Sequence, residues 1–430
     1  MAMKNIFVFG QDDFDLAQMQ SLRHADQYCF HELYRHEDIK GGAEFPVEQL
    51  LAGAQQQLNS FTGSIDAIVG FWDFPVSTML PLLRKPYGLP SPSFESVLKC
   101  EHKYWSRVIQ QKSIPQAVPG FCAVDPFADN PRQQISLDYP FWIKPIKAAN
   151  SHLGFKVHND AEFEHAIEQI RGNIFRYGDP FNYLLQFAEL PAEISAIDGN
   201  HCIAEQIISR GRQCTLEGYV YNKQVHVYGT VDSIREGQHR SSFSRYQYPS
   251  TLPGRIQQCM IDLACRVLLD IGYDNAPFNM EFYWDSSHDQ IWLLEINTRI
   301  SKSHCPLFYH VDGAYHHQVN IELALGQLPD FPHRQGQYKL AAKFMWREYT
   351  NARVTGVPSP EELARICQQI PSAEIQLHVH DGMVLSDLKD QDSYSYEVAV
   401  IFLAANSQKE LLEKYRACKK SMHLELEPVP

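Results

Sequence analysis

The chain has 430 residues, 44% of them hydrophobic and 21% charged, the balance of a soluble globular protein with room for two or three domains. Its 38 Lys and Arg against 51 Asp and Glu leave a net charge of −13 with no acidic tail, which argues against a nucleic-acid partner because phosphate binding needs a basic stripe. No run approaches the roughly 18 apolar residues that span a bilayer, so no membrane partner is expected. The start, MAMKNIFVFGQDDFD, turns acidic too early for a signal peptide, and the ten cysteines form no C-x-x-C pair, so a cytoplasmic protein is the expectation.

Residues 4–10 (KNIFVFG) read as a buried strand ending in the polar turn Gln11-Asp12-Asp13. A second apolar run, 65–71 (IDAIVGF), is followed by Asp73, and residues 47–58 between them have helical character. Strand, helix and strand predict a small parallel α/β domain over residues 1–92, closed by the breaker GLPSPS. It lacks G-x-G-x-x-G after its first strand, which speaks against dinucleotide binding.

Residues 93–328 mix α and β. We expect a helix over 95–112, a strand over 139–146, a helix over 161–170, and strands near 183–187, 193–197 and 213–221. A long amphipathic helix over 255–271 carries Ile256, Met260, Leu263, Val267 and Ile271 at three- and four-residue steps. Strands 278–284 and 290–297 are joined by the polar turn DSSHD. Residues 329–430 form a third α/β module, with a strand over 396–404 and a helix from Ser407.

The chemistry concentrates in residues 278–304, FNMEFYWDSSHDQIWLLEINTRISKSH. Glu295 and Asn297 lie two apart on a strand and share a face, and an antiparallel neighbour brings Glu281 beside them. Two carboxylates and an amide oxygen suit Mg²⁺, and Arg299 would sit over phosphates to stabilise developing charge. The plain alternative is a polar face in water. Against it, Glu295 follows the apolar run 291–294, and a buried carboxylate needs partners. Lys144, within YPFWIKP, likewise follows apolar residues in a strand and needs an anion nearby.

EINTRI at 295–300 resembles the E-[IM]-N-x-R signature of ATP-grasp enzymes, to which an earlier Glu at the distance of Glu281 belongs. The wording EINTRISKSH is similar to biotin carboxylases and to amino-acid ligases that make dipeptides. The resemblance implies an α/β (α+β) chain with an ATP-grasp fold between the N-terminal domain and the C-terminal module. It implies ATP as cosubstrate and two Mg²⁺ ions, with Mn²⁺ as a substitute, on Glu281, Glu295 and Asn297, and a contact from Arg299 to the transferring phosphoryl group. Lys103, in a segment resembling K-x-x-x-[RK], and Lys144, in one resembling P-[VF]-[VI]-[VI]-K-P, imply contacts to ATP phosphates.

LLQFAELPAEISAIDG resembles the family linker V-E-E-Y-[IV]-x-G-x-E-[YF]-S-[VA], implying Gln186, Phe187 and Ala188 at the adenine and Glu193 at the ribose hydroxyls. In place of the family's glycine-rich loop stands IKAANSHLG with Gly154 alone, so Lys147, Ser151 and His152 are expected to supply side-chain donors. The implied reaction is ATP-dependent coupling of a small-molecule carboxylate to an amine through an acyl phosphate. Arg235, Arg240 and Arg245 are candidates to clamp the substrate carboxylate, with Lys302 and His304 facing the same cavity. A homodimer, common in the superfamily, is also expected. Two other readings stay open: a biotin-carboxylase-like enzyme using bicarbonate with a separate biotinyl partner, and an ATP-binding sensor or scaffold without turnover.

Overall fold

In the computed structural model, which describes residues 3–40, 45–148, 152–235, 242–388, 391 and 395–429, the first apolar run becomes the strand Lys4–Gln11. Tyr28–Arg35 flanks it on one side and Ala67–Val69 on the other, both parallel. Its six consecutive buried residues are what a parallel sheet covered on both faces requires. The helix Val47–Ser60 covers one face with Val47, Leu50, Leu51, Ala54 and Leu58. Tyr28–Arg35 escaped the sequence reading because YCFHELYR has no continuous apolar run and is mostly half-buried.

The expected helix over 95–112 is two helices, Phe94–Glu101 and Lys103–Ser113. His102 breaks them: its backbone leaves the helical region, and its Nδ1 accepts from the N–H of Trp105 as an N-cap. The break makes Lys103 the first residue of the second helix, where its N–H donates to the carbonyl of Ile146 just beyond the strand Phe141–Pro145.

Four antiparallel strands, in the order Phe121–Val124, Cys202–Gln206, Phe141–Pro145 and Phe155–Val157, make a small sheet. Helix Asp160–Asn173 packs on it through Phe163, Ala166, Ile167 and Ile170. The strands expected near 183–187 and 193–197 are not strands. Tyr183 to Leu185 close the helix Phe175–Leu185, and Glu193 to Ser195 belong to the short helix Ala192–Ser195. Tyr177, Phe181, Leu184 and Leu185 bury a helical stripe against the N-terminal core, and a short apolar run does not by itself distinguish the two periods.

An eight-stranded antiparallel sheet runs in the order Gln290–Asn297, Ala276–Asp285, Arg212–Tyr221, Gln224–Ile234, Arg245–Tyr248, Leu340–Glu348, Tyr396–Ala405 and Glu374–Leu377. It crosses residue 329 without interruption, because Arg245–Tyr248 bonds to Gln224–Ile234 on one side and to Leu340–Glu348 on the other. Helix Gly254–Ile271 lays the expected stripe on its first half and ends at Gly272, whose φ of 75° suits a residue without Cβ. Helix Gln408–Ser421, capped by Ser407, covers its other end. Among the described residues no helix is long and apolar enough to cross a membrane.

Candidate active site

The hairpin of Ala276–Asp285 and Gln290–Asn297 pairs Glu281 with Glu295 and Asn279 with Asn297, with a bulge just after Glu281. Strand alternation therefore puts Glu281, Glu295 and Asn297 side by side in the wall of a cavity of about 1280 Å³. Burial, reinforced by the charge of Glu295, pushes the Glu281 carboxyl up to about 7, against the pull of Arg299 and a hydrogen bond from Gln213 Nε2 (2.7 Å). Among the described residues no group of three or more His, Cys, Asp or Glu is placed to hold a metal. The oxygen set here has two carboxylates and one amide. It fits a hard divalent cation that completes its shell from phosphate or water and relieves the repulsion between the two acids.

Lys103, Lys144 and Lys147 line the same cavity. Lys144 Nζ lies 2.7 Å from Glu205 Oε2, and Lys147 Nζ lies 2.6 Å from Glu101 Oε2. Lys103 Nζ donates to the Ala148 carbonyl (3.0 Å) and stands 3.9 Å from Glu295 Oε1. Burial lowers the Lys103 ammonium to about 8; Glu295 opposes this, and the neighbouring Lys144 and Lys147 add to it. Three clustered ammonium groups give a chain of net negative charge a locally positive chamber suited to a polyanion.

Three charged residues in this framework were missed from the sequence: Glu101, Arg107 and Glu205. Burial alone would raise the Glu205 carboxyl, but Arg107 and Lys144 hold it down to about 2. Arg107 Nε donates to Glu205 Oε1 (2.5 Å), Nη1 to the carbonyl of Leu293 (2.7 Å) and Nη2 to that of Leu294 (3.0 Å). One guanidinium thus ties the acid that holds Lys144 to the strand that carries Glu295. Its signal was available, since Arg107 is the last position of the K-x-x-x-[RK] segment beginning at Lys103.

Gln186, Phe187, Ala188 and Glu193 do not line the cavity. Gln186 and Phe187 are exposed beyond the end of their helix, Ala188 packs on the N-terminal core, and Glu193 lies 3.9 Å from surface Lys112. The helical path of 175–185 carries them away. The chain that borders the cavity instead is 205–213, which links the small sheet to the large one. Of the linker pattern it keeps Glu205 and, after one inserted residue, Gly211, while Gln206, Gln213, Cys214 and Thr215 depart from it.

Arg245 is another correction. It shares a strand face with Gln247, its guanidinium stacking 5.5 Å from the Phe344 ring, while its neighbour Tyr246 faces the cavity. Arg235 does line the cavity, over the Phe243 ring at 3.9 Å and bonded to Gln213 Oε1. Ser151 and Arg240 lie outside the described residues; His152 borders the cavity. Lys302 is there too, bound to Asp12 and 3.1 Å from Asp15 Oδ2, as is buried His304, whose Nδ1 lies 2.7 Å from Glu217 Oε1. Arg299 faces the cavity but is gripped by Asp73, in the turn after the strand Ala67–Val69, through Nε (2.5 Å) and Nη2 (2.7 Å). Burial would lower its pKa, and the Asp73 carboxylate more than reverses that.

A family model described as "Carbamoyl-phosphate synthase L chain, ATP binding domain" matches residues 225–329, the stretch that holds Glu281, Glu295, Asn297 and Arg299. Over the whole chain, L-amino acid ligase from Bacillus licheniformis superposes with a TM-score of 0.71 at 16% identity, covering 99% of each chain. The chain has the ATP-grasp fold. Another ATP-grasp structure, the biotin carboxylase β,γ-ATP complex from Campylobacter jejuni, superposes at 0.64 with 13% identity, covering 99% of this chain and 93% of the other. N5-carboxyaminoimidazole synthase from Aspergillus clavatus, in complex with ADP and its aminoimidazole ribonucleotide, gives 0.64 with 14% identity over 97% and 98%. Urea amidolyase from Saccharomyces cerevisiae is 24% identical over 243 residues, 56% of this chain, and the chain spans only 12% of that relative's length.

Proposed function

We propose that this protein is an ATP-dependent ligase that activates a small-molecule carboxylate as an acyl phosphate and couples it to an amine. The observation that carries the reading is the pairing of Glu281 with Glu295, with Asn297 alongside, in a cavity that also presents Lys103, Lys144 and Lys147. Oxygen donors for a cation and ammonium groups for phosphates then share one chamber. Lys103, Lys144 and Lys147 hold the phosphates of ATP, and residues 206–209 receive the base. Two Mg²⁺ ions on Glu281, Glu295 and Asn297 would supply charge neutralisation on the phosphate oxygens.

A carboxylate oxygen of the substrate attacks the γ-phosphorus and ADP leaves. Arg299, kept charged and fixed by Asp73, faces the transferring group. The amine nitrogen then attacks the acyl carbon, inorganic phosphate departs, and the nitrogen loses its proton to give an amide. Arg235 lines the cavity where Arg245 does not, and it is suited to a second carboxylate on either substrate.

The test is phosphate release from ATP with Mg²⁺ across a matrix of amino acids, small carboxylic acids and amines, with bicarbonate plus free biotin in one well. Stimulation by a carboxylate–amine pair is the expected result and names both substrates. Stimulation by bicarbonate and biotin alone would move the protein to the carboxylases. No stimulation in any well, with ATP still bound, overturns the ligase reading.

A further inference from the structure

Behind the cavity wall lies a directed chain of hydrogen bonds. Glu217, on strand Arg212–Tyr221, is in register with Asn279 and its side chain has no exposed surface. Its Oε1 accepts from Asn279 Nδ2 (2.6 Å) and from His304 Nδ1 (2.7 Å). Asn279 Oδ1 in turn accepts from Asn297 Nδ2 (3.1 Å). Glu217 Oε2 has no hydrogen-bond partner among the described residues; the nearest charged-type neighbour, His316 Nδ1, is 3.9 Å away and takes its bond from Tyr228. A buried carboxylate with an unbonded oxygen costs stability, so its use is to be sought in the site rather than in the fold.

The polarity of this chain follows from the chemistry of its first member. A carboxylate oxygen only accepts, so the end of Asn279 that faces Glu217 has to be its NH₂. That turns the Asn279 carbonyl toward Asn297 and engages the NH₂ of Asn297. Asn297 then keeps its carbonyl oxygen for the cavity. An unassisted asparagine has no such preference before a cation arrives, because its two ends are nearly the same size, and one that turned its NH₂ to the cavity would repel the cation.

We infer that Glu217 is a positioning residue: through Asn279 it sets the amide orientation that presents Asn297 Oδ1, rather than Nδ2, to a divalent cation beside Glu281 and Glu295. This rests on the metal-site reading above. His304, in this arrangement, is the second donor to Glu217 and not a free base at Nδ1.

Glu217→Gln is the informative variant, because a glutamine can turn its own carbonyl or its NH₂ to Asn279 and so releases the polarity at almost constant volume. Mn²⁺ binding is measured by electron paramagnetic resonance with ADP present, and ADP affinity without metal by calorimetry. The expected result is a loss of about 10- to 100-fold in Mn²⁺ affinity with metal-free ADP affinity unchanged. The double variant Glu217→Gln/Asn297→Asp is expected to recover Mn²⁺ binding, since a carboxylate offers oxygen whichever way it turns. Wild-type Mn²⁺ affinity in Glu217→Gln, or no recovery in the double variant, overturns the inference. If Glu217→Gln does not fold, Asn279→Ala leaves His304 to bond Glu217, deletes the acceptor for Asn297, and carries the same expectation. The underlying site fails separately, if Glu281→Gln and Glu295→Gln both bind Mn²⁺ as the wild type does.

Discussion

Glu281 and Glu295 stand directly opposite each other across an antiparallel hairpin, and the charge of Glu295 adds to burial in raising the Glu281 carboxyl. Side chains at such positions come within about 5 Å at Cβ, where like charges destabilise a sheet. A pair of this kind is costly without a cation. Glu295→Gln is therefore expected to leave the fold intact while lowering magnesium-dependent ATP turnover on the order of 100-fold or more. Phosphate release, with circular dichroism as the control for folding, checks it; normal turnover would remove the pair from the site.

Lys144 meets its anion in Glu205, at 2.7 Å, and projects into the same chamber as Lys103 and Lys147. Under the proposed function Lys144→Ala would remove a charge-assisted bond to phosphate, for which about 1.5–3 kcal/mol is typical. ATP affinity by calorimetry should fall roughly tenfold or more, and an unchanged value would show that Lys144 does not touch nucleotide.

The Glu205 carboxyl is held down to about 2, against burial, by Arg107 and Lys144. Because the folded value lies below the usual carboxylate value, the stabilisation is complete above about 4.5 and is lost as pH falls from there toward 2. Glu205→Gln leaves Arg107 and Lys144 without their anion and should cost about 3–5 kcal/mol at neutral pH. The gap to the wild type should narrow as urea unfolding is repeated at pH 4 and below. A gap independent of pH would contradict the ion-pair account.

Phe187→Ser and Glu193→Ala change residues on the outer surface. Both variants should bind ATP within about twofold of the wild type, as surface changes of about 0.5 kcal/mol do. A large loss in either would return the 186–193 segment to the nucleotide site.

Asp73→Asn loosens the two-point hold on Arg299 without altering Glu281, Glu295 or Asn297. Turnover should fall while ATP affinity stays constant, because under the proposed function the hold positions a group for the phosphoryl transfer and not for the ground state. Equal losses in both would assign Asp73 to nucleotide binding instead.

What could be read from the sequence was local. The 276–297 hairpin was legible because strand alternation fixes which side chains share a face and a short polar turn fixes the register. The helix Gly254–Ile271 was legible from its five-residue stripe. The break at His102 was not, since one capping side chain hardly alters helical composition. Nor was the face of Arg245, which depends on the phase of a four-residue strand. The hold of Asp73 on Arg299 joins residues 226 positions apart, and the Glu217–Asn279 and Arg107–Glu205 pairings join separate strands and helices; no periodicity announces such partners. The strands expected near 183–187 and 193–197 failed for another reason, a family pattern laid on a segment whose apolar spacing is helical.

The strand that carries Glu295 is also an outermost strand of the eight-stranded sheet, and it lies against the turn Pro115–Ala117 and the helix Phe94–Glu101. Arg107 occupies two of its carbonyls, those of Leu293 and Leu294, and at the opposite margin the last strand is only four residues long. An incoming strand from another molecule would have to displace a buried guanidinium at one margin and would find almost no template at the other. The residue that ties Glu205 to the strand of Glu295 thereby also withholds two edge carbonyls of the largest sheet from pairing with another molecule.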